Sequence, residues 1–349
     1  MSVFWTDTVN RLTPYVPGEQ RSGRDIVKLN TNENPYPPSP LVLEAIAGVS
    51  GDDLRRYPDP ESQRLRQTLA DYHGLAPNQV FVGNGSDEIL ALAFLAYFTS
   101  GKVLQYPAIS YSFYPVYCGL YGIDSRTIPL EADYSLNTDR FSANTGAIVF
   151  PNPNAPTARS VSLNAVQGLL ERHTEELVLI DEAYADFGAQ SAISLVNHYP
   201  NLLVSRTFSK GRSLAGLRLG VAFGHEDLIE GLQRVKNSFN SYPVDAIAER
   251  AGIASINDES YYRKTIDAII TNREKSIEQL TQRGFEVLPS DANFVFAKQP
   301  HGDAAKLFAK LRDKGILVRH WNKPDVKEWL RISIGTPEQM NRLMSGIDA

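Results

Sequence analysis

Leu202-Leu203-Val204-Ser205-Arg206-Thr207-Phe208-Ser209-Lys210-Gly211-Arg212-Ser213-Leu214-Ala215-Gly216-Leu217-Arg218 is an apolar run that breaks into hydroxyls, small residues and cations around a single lysine. The apolar run reads as a buried strand, which places Lys210 just beyond its carboxyl end. A lysine that only solvates a surface does not need such a setting. Poor solvation and two neighbouring arginines both disfavour the ammonium form, and the free amine that results is a nucleophile toward an aldehyde.

Two further strand ends complete the pattern. Val178-Leu179-Ile180 is a short, fully apolar strand that delivers Asp181-Glu182-Ala183-Tyr184 at its carboxyl end. In an open α/β sheet, ligands sit outside the carboxyl ends of the strands. Gln79-Val80-Phe81-Val82 is another strand, running into Gly83-Asn84-Gly85-Ser86-Asp87-Glu88 and then an apolar helix pattern. A glycine turn that opens a helix presents free N–H groups and the positive end of the helix dipole, which together make a phosphate cradle. Ser86 or Asp87 equally suits the helix N-cap. The third glycine of a dinucleotide fingerprint is absent, and no Walker-type lysine follows. A phosphate cradle, an acidic strand end and a reactive lysine, in that chain order, are the contacts required by the phosphate, pyridine nitrogen and aldehyde of pyridoxal phosphate.

The rest of the chain fits an α/β enzyme. Its 349 residues exceed the usual size of one domain, so two are expected. Lys+Arg 35 against Asp+Glu 40 gives a net charge of −5, which carries no nucleic-acid footprint. The single cysteine, Cys118, excludes an internal disulfide and fits a reducing compartment. No secretory signal follows Met1 and no apolar run spans a bilayer, so the expected location is cytoplasmic, with no membrane partner. No metal-ligand cluster is expected.

Strand and helix patterns alternate from about residue 60 to 235, with strands expected at 80–82, 103–105, 147–150, 177–180, 202–206 and 219–223. The expected fold is a large domain with a mainly parallel sheet flanked by helices, over residues 41–243. A smaller α+β domain follows over residues 244–349, with helices at 261–280 and 302–314 and a last helix. Its expected strands are 285–288, 293–297, 316–318 and 330–333.

Residues 207–216 resemble the lysine motif of the class II pyridoxal-phosphate aminotransferases, which have fold type I. Four further stretches are similar to the histidinol-phosphate aminotransferase branch of that family. They are Leu12-Thr13-Pro14-Tyr15-Val16-Pro17-Gly18-Glu19, Leu29-Asn30-Thr31-Asn32-Glu33-Asn34-Pro35-Tyr36, Arg56-Tyr57-Pro58-Asp59 and Trp329-Leu330-Arg331-Ile332-Ser333-Ile334-Gly335. The resemblance therefore spans nearly the whole chain. It implies that residues 1–40 form an arm packed with the small domain, and that the protein is a homodimer with a shared active site.

It also implies a role for each candidate residue. Lys210 holds the cofactor by its aldehyde and, once freed, shuttles the substrate proton. Asp181 pairs with the pyridine nitrogen, and Tyr184 hydrogen-bonds the ring hydroxyl. The phosphate takes backbone donors at Gly85 and Ser86, the Ser209 hydroxyl and the Arg218 guanidinium, and Asp87 is a further cofactor-binding residue. Arg212 is the alternative, but the family's phosphate arginine follows an Ala-Gly-Leu, here Ala215-Gly216-Leu217. Tyr111 stacks on the ring, and Tyr57 reaches the cofactor of the neighbouring subunit. Arg331 takes the anionic group of either substrate, histidinol phosphate or glutamate/2-oxoglutarate, with Tyr15 and Asn32 closing the site. Tyr242 and Asn293 are secondary candidates.

The run Asn152-Pro153-Asn154-Ala155-Pro156-Thr157-Ala158 departs from the family's Asn-Asn-Pro-Thr-Gly. Alanine 155 cannot donate the ring contact, so Asn154 is expected to replace it. Ala158, in place of glycine, implies that no positive φ is needed there. The implied reaction is transamination of histidinol phosphate in histidine biosynthesis. The alternatives are an aromatic amine donor, or decarboxylation of a phosphorylated amino acid such as threonine phosphate.

Overall fold

The computed structural model describes residues 2–21, 23, 25–99, 101–143, 146–300 and 302–348. Its strands are β1 (Val27–Lys28), β2 (Val80–Gly83), β3 (Leu104–Pro107), β4 (Ser125–Ile128), β5 (Ala147–Pro151), β6 (Leu177–Asp181), β7 (Leu202–Thr207) and β8 (Gly220–Gly224). They continue with β9 (Glu286–Val287), β10 (Phe294–Lys298), β11 (Ile316–Leu317), β12 (Arg319–His320) and β13 (Trp329–Ser333).

Seven strands form one sheet in the order β2-β8-β7-β6-β5-β3-β4. All pairings are parallel except those of β8, which runs antiparallel to both β2 and β7. The strands are apolar on both faces because each face meets helices. Val80, Ile148, Phe150, Val178, Ile180 and Val204 enter one core with the helices Gln63–His73, Leu163–Arg172 and Ala246–Asn257. Phe81, Ala147, Val149, Leu179 and Leu203 enter the opposite core with Gly85–Tyr97, Tyr114–Tyr121 and Glu226–Phe239. Fully burying each valine, leucine, isoleucine or phenylalanine among them contributes about 1.5–3 kcal/mol.

The register sets the site. Thr207 and Gly83 both pair with Gly220, and Asp181 pairs with Ser205. The carboxyl ends of β2, β6 and β7 therefore lie along one edge, where the glycine turn, Asp181 and Lys210 emerge together.

A second sheet, β12-β13-β10-β9, is antiparallel. It packs with the helices Glu259–Gln282, Ala304–Asp313 and Pro337–Asp348 around Val295, Leu330 and Ile332. The β1 strand pairs in parallel with β11, and Val27 and Leu29 share this core. Two details differ from expectation. The strand β4 carries an exposed, polar Ser125-Arg126-Thr127 and is held by backbone pairing at the sheet edge. The apolar run 316–318 is divided, since β11 pairs with β1 while β12 joins β13.

Candidate active site

A cleft of about 620 Å³ opens between this sheet edge, residues of the stretches 15–20 and 30–33, and the second sheet. Ser86, Asp181, Tyr184, Lys210, Arg218 and Arg331 all line it.

At one end, β2 passes through Gly83 and Asn84 into the helix Gly85–Tyr97. Gly85 has φ 82°, a left-handed conformation that glycine adopts without penalty. A β-carbon there would lie 2.7 Å from Nη2 of Arg218. Gly220 is under a similar constraint, because its β-carbon would lie 2.4 Å from the Gly85 carbonyl carbon and the Ser86 nitrogen. Arg218 is itself in the left-handed region (φ 53°) and donates from Nη2 to Oδ2 of Asp87 at 3.1 Å. The other oxygen of Asp87 accepts the Tyr111 hydroxyl at 2.8 Å. Asp87 thus fixes both the arginine and the aromatic ring, and the buried Ser209 lines the same cleft. A helix start, a guanidinium and a hydroxyl around backbone too tight for any β-carbon make an anion cradle.

Asp181 ends β6 and is buried, with a pKa pushed up to about 7 by burial and by the nearby Asp87. Among the described residues its carboxylate accepts only from Ala183 N–H and Ser205 Oγ, both at 3.3 Å, and from the Tyr114 hydroxyl at 3.5 Å. Among the described residues it has no cationic partner within ion-pair distance. A buried carboxylate so placed is complementary to a ligand cation. A protonated pyridine nitrogen fits that demand.

Lys210 lies between this end and the next. Its Nζ donates to the Thr31 carbonyl at 3.0 Å and sits 5.8 Å from the Tyr184 ring centroid. Burial, then the positive charge of Arg331, lowers its pKa to about 8, while Glu33 and Asp87 oppose the shift. The Tyr184 hydroxyl accepts from Asn32 Nδ2 at 3.1 Å, and burial raises its pKa. Asn32 is buried at φ 56°, held by Ser333 through its N–H and its side-chain oxygen. Asn293 donates to the Asn32 carbonyl at 3.0 Å.

Arg331 projects from β13 at the far end. Its Nη2 donates to the Asn30 carbonyl at 2.7 Å, and its Nε has no partner among the described residues. Its guanidinium carbon lies 5.4 Å from the Phe294 ring and 5.3 Å from Trp321. No carboxylate pairs with it among the described residues, and burial lowers its pKa. An arginine with an idle donor, walled by aromatic rings, is a site for an incoming anion.

Several expected residues lie elsewhere. Arg212 turns away, its guanidinium stacked 3.7 Å from the Tyr262 ring and bonded to the Ser255 carbonyl, so Arg218 is the arginine at the cradle. Tyr15 lines the cleft, stacked on Phe113. Tyr57 is 82% exposed and stacks on Tyr242 outside the cleft of its own chain. Asn154 is buried with its Nδ2 committed to the Ile109 carbonyl and Thr157 Oγ1, both at 2.9 Å, and it is Ala155 and Pro156 that face the cleft. The expectation for Ala158 is corrected. It adopts φ 65°, the left-handed conformation for which glycine is the usual residue, and its methyl is buried against Ala155, Ala292 and Phe294. The carbonyls of Asn30 and Thr31 and the side chain of Asn34 were not legible as functional groups. Main-chain acceptors leave no trace in side-chain identity.

The family model described as "Aminotransferase class I and II" matches residues 24–347. The histidinol-phosphate aminotransferase of Pseudomonas syringae pv. syringae (strain B728a) is 53% identical over 347 residues, which cover 99% of this chain and 99% of that protein. That of Chromohalobacter salexigens is 52% identical over 349 residues, covering 100% of this chain and 99% of the relative. Among solved structures, histidinol-phosphate aminotransferase from Sinorhizobium meliloti, in complex with pyridoxal-5'-phosphate, has a TM-score of 0.89 at 25% identity. That match covers 99% of this chain and 97% of the other.

Proposed function

The chain belongs to the class I and II aminotransferases, in their histidinol-phosphate aminotransferase branch, and from that membership and the cleft we infer its reaction. It moves the amino group of L-histidinol phosphate to 2-oxoglutarate, giving imidazole acetol phosphate and L-glutamate, in histidine biosynthesis. The observation that carries this reading is the place of Lys210, an amine of lowered pKa between a cradle for one anion and an unpaired arginine for another.

Pyridoxal phosphate, when bound, supplies an aldehyde that takes up amines and a cationic ring that draws electrons from the neighbouring carbon. The chain's own residues hold and orient it. The Gly85–Ser86 backbone, Ser209 and Arg218 take the phosphate. Asp181 would hand its proton to the ring nitrogen and hold it cationic, and the Tyr184 hydroxyl would donate to the ring oxygen. Tyr111, pinned by Asp87, covers the ring face. Lys210 Nζ would take the proton from the amine-bearing carbon of the substrate and deliver it to the cofactor's aldehyde carbon, as base and then acid. Arg331 grips the phosphate of one substrate and a carboxylate of the other, and Tyr15 and Asn32 narrow the opening.

The same reading makes the protein a cytoplasmic homodimer in which Tyr57 completes the neighbouring site. The exposed Tyr57–Tyr242 pair supports this, because large exposed apolar rings mark interfaces. It also divides the chain into an arm (1–40), a large unit (41–243) and a small unit (244–349), and the pairing of β1 with β11 supports the placing of the arm.

The test is a half-reaction. Protein loaded with pyridoxal phosphate is mixed with histidinol phosphate alone, and the cofactor's visible absorbance is followed. Conversion to the amine form, reversed by 2-oxoglutarate, is expected. No response to histidinol phosphate, with conversion by phenylalanine or carbon dioxide release from threonine phosphate, would replace the substrate and keep the cofactor.

A further inference from the structure

We propose that Asn34 is a positioning residue for Lys210, its side-chain amide fixing the peptide that carries the reactive amine. The inference rests on the reading of Lys210 as the catalytic lysine. Asn34 Nδ2 donates to two successive carbonyls, those of Lys210 at 3.0 Å and Gly211 at 3.2 Å. Its Oδ1 accepts from the Tyr36 N–H at 3.0 Å. That third bond decides which way the amide faces, so the NH₂ group is presented to the lysine peptide by construction.

The next residue along is closely packed as well. A β-carbon at Gly211 would collide with the Asp186 carboxylate. That carboxylate is itself held by an ion pair with Arg206 and by the Tyr262 hydroxyl at 2.7 Å. Lys210 O also accepts the Ser213 N–H at 3.4 Å, a longer bond within its own loop. The lysine peptide is therefore held by Asn34, with Asp186 packed close to Gly211, while the Lys210 Nζ meets the Thr31 carbonyl. One short segment, Thr31 to Asn34, holds Lys210 at both ends of the residue.

The need for such a clamp follows from the side chain. A lysine reaches its target through four flexible torsions. When the Lys210 amine is free, its backbone anchor and the Thr31 carbonyl define where it rests. Displacement of a reacting group by about 1 Å costs up to roughly 100-fold in rate. Asn34 takes no part in the anion sites, so its loss acts on the proton-transfer step and leaves substrate binding alone.

The experiment uses the full chain loaded with pyridoxal phosphate and compares wild type with Asn34→Ala, Asn34→Ser and Asn34→Asp. In the alanine and aspartate variants the rate constant of the histidinol phosphate half-reaction falls, up to roughly 100-fold. KM stays near wild type, and the isotope effect from deuterium on the amine-bearing carbon rises. Serine, which keeps one donor hydrogen, falls between. A second readout needs no cofactor. Acetylation of Lys210 across pH, read by peptide mass, gives the titration midpoint of its amine among Arg331, Arg218, Glu33 and Asp87. In Asn34→Ala that midpoint moves up toward an ordinary lysine, as the released amine becomes better solvated. Variants with an unchanged isotope effect and midpoint overturn the proposal. So does a parallel loss of rate, KM and thermal stability in all three, which would make Asn34 a folding residue. Failure of wild type itself to transaminate, or to carry the cofactor on Lys210, would instead remove the underlying reading.

Discussion

Lys210 and Asp181 owe their chemistry to burial, and each gives a pH dependence of defined sign. Lys210 titrates near 8 because burial and Arg331 disfavour the ammonium form. In the cofactor-free chain, the rate of pyridoxal phosphate uptake should therefore rise with pH and level off above about 8. Arg331→Met removes a cation that opposes protonation, so the midpoint should move upward by on the order of one unit. Stopped-flow absorbance checks both, and an unmoved midpoint would exclude Arg331 as a cause. Asp181 is shifted the other way, from 3.8 to about 7. A carboxyl with a raised folded-state pKa stabilises the cofactor-free fold below its unfolded value, and that stability is lost as pH rises through 7. At pH 8 the cofactor-free Asp181→Asn variant should then unfold later than wild type, by on the order of 2 kcal/mol, since it buries no uncompensated charge. With pyridoxal phosphate present the order should reverse, because the amide cannot pair with the ring cation. Thermal melts with and without cofactor read the crossing. Both residues were legible in the sequence, since each stands at the end of an apolar strand. Asn154 shows the limit of that method. A side chain inside an irregular turn points wherever local carbonyls take it, here to Ile109.

At the scale of elements, the site depends on how closely β8 approaches the helix Gly85–Tyr97. The Gly220 Cα faces the Gly85–Ser86 peptide with no room for a methyl group, and the obstructing atoms are backbone. Gly220→Ala should therefore cost about 1–3 kcal/mol of stability through overpacking. It should weaken pyridoxal phosphate more than it weakens the fold, because the turn that must shift is the anion cradle. Cofactor titration by fluorescence, set beside a denaturant melt, separates the two effects. Equal losses in both would mean that β8 supports the sheet alone. The central strands were legible as apolar runs, because helices cover both of their faces. The edge strand β4 was not, since only Ile128 in it is buried and its remaining order comes from backbone pairing with β3. The antiparallel direction of β8 was equally hidden, because an apolar run carries no sign of direction. Ala158 misleads for a related reason. Its left-handed φ costs roughly 1 kcal/mol, and burial of its methyl in the Ala155–Phe294 cluster offsets part of that cost.

At the scale of the whole molecule, one group proposed for the cofactor stands outside its own cleft. Tyr57 is 82% exposed and rests on Tyr242, with Leu54 and Phe239 exposed at 62% and 80%. Next to Tyr242, the Pro243 carbonyl accepts from Asn84, a residue of the glycine turn that opens the helix Gly85–Tyr97. The aromatic pair therefore flanks the outer wall of the cradle, where a two-fold neighbour would meet it. A single sequence shows the tyrosine and leaves open which chain it serves, because a dimer interface has the composition of an ordinary exposed apolar patch. Complementation decides the question. Lys210→Ala has no reactive amine, and Tyr57→Ala is expected to bind cofactor weakly. Each mixed dimer would contain one site with Lys210 from one chain and Tyr57 from the other, both intact, and a second site lacking both. After dissociation, mixing and reassociation, half of the dimers are mixed, so about a quarter of all sites should regain wild-type turnover. If Tyr57 served its own chain, or neither, every site with Lys210 would still carry the alanine at 57. Activity would then stay at the level of the diluted Tyr57→Ala parent.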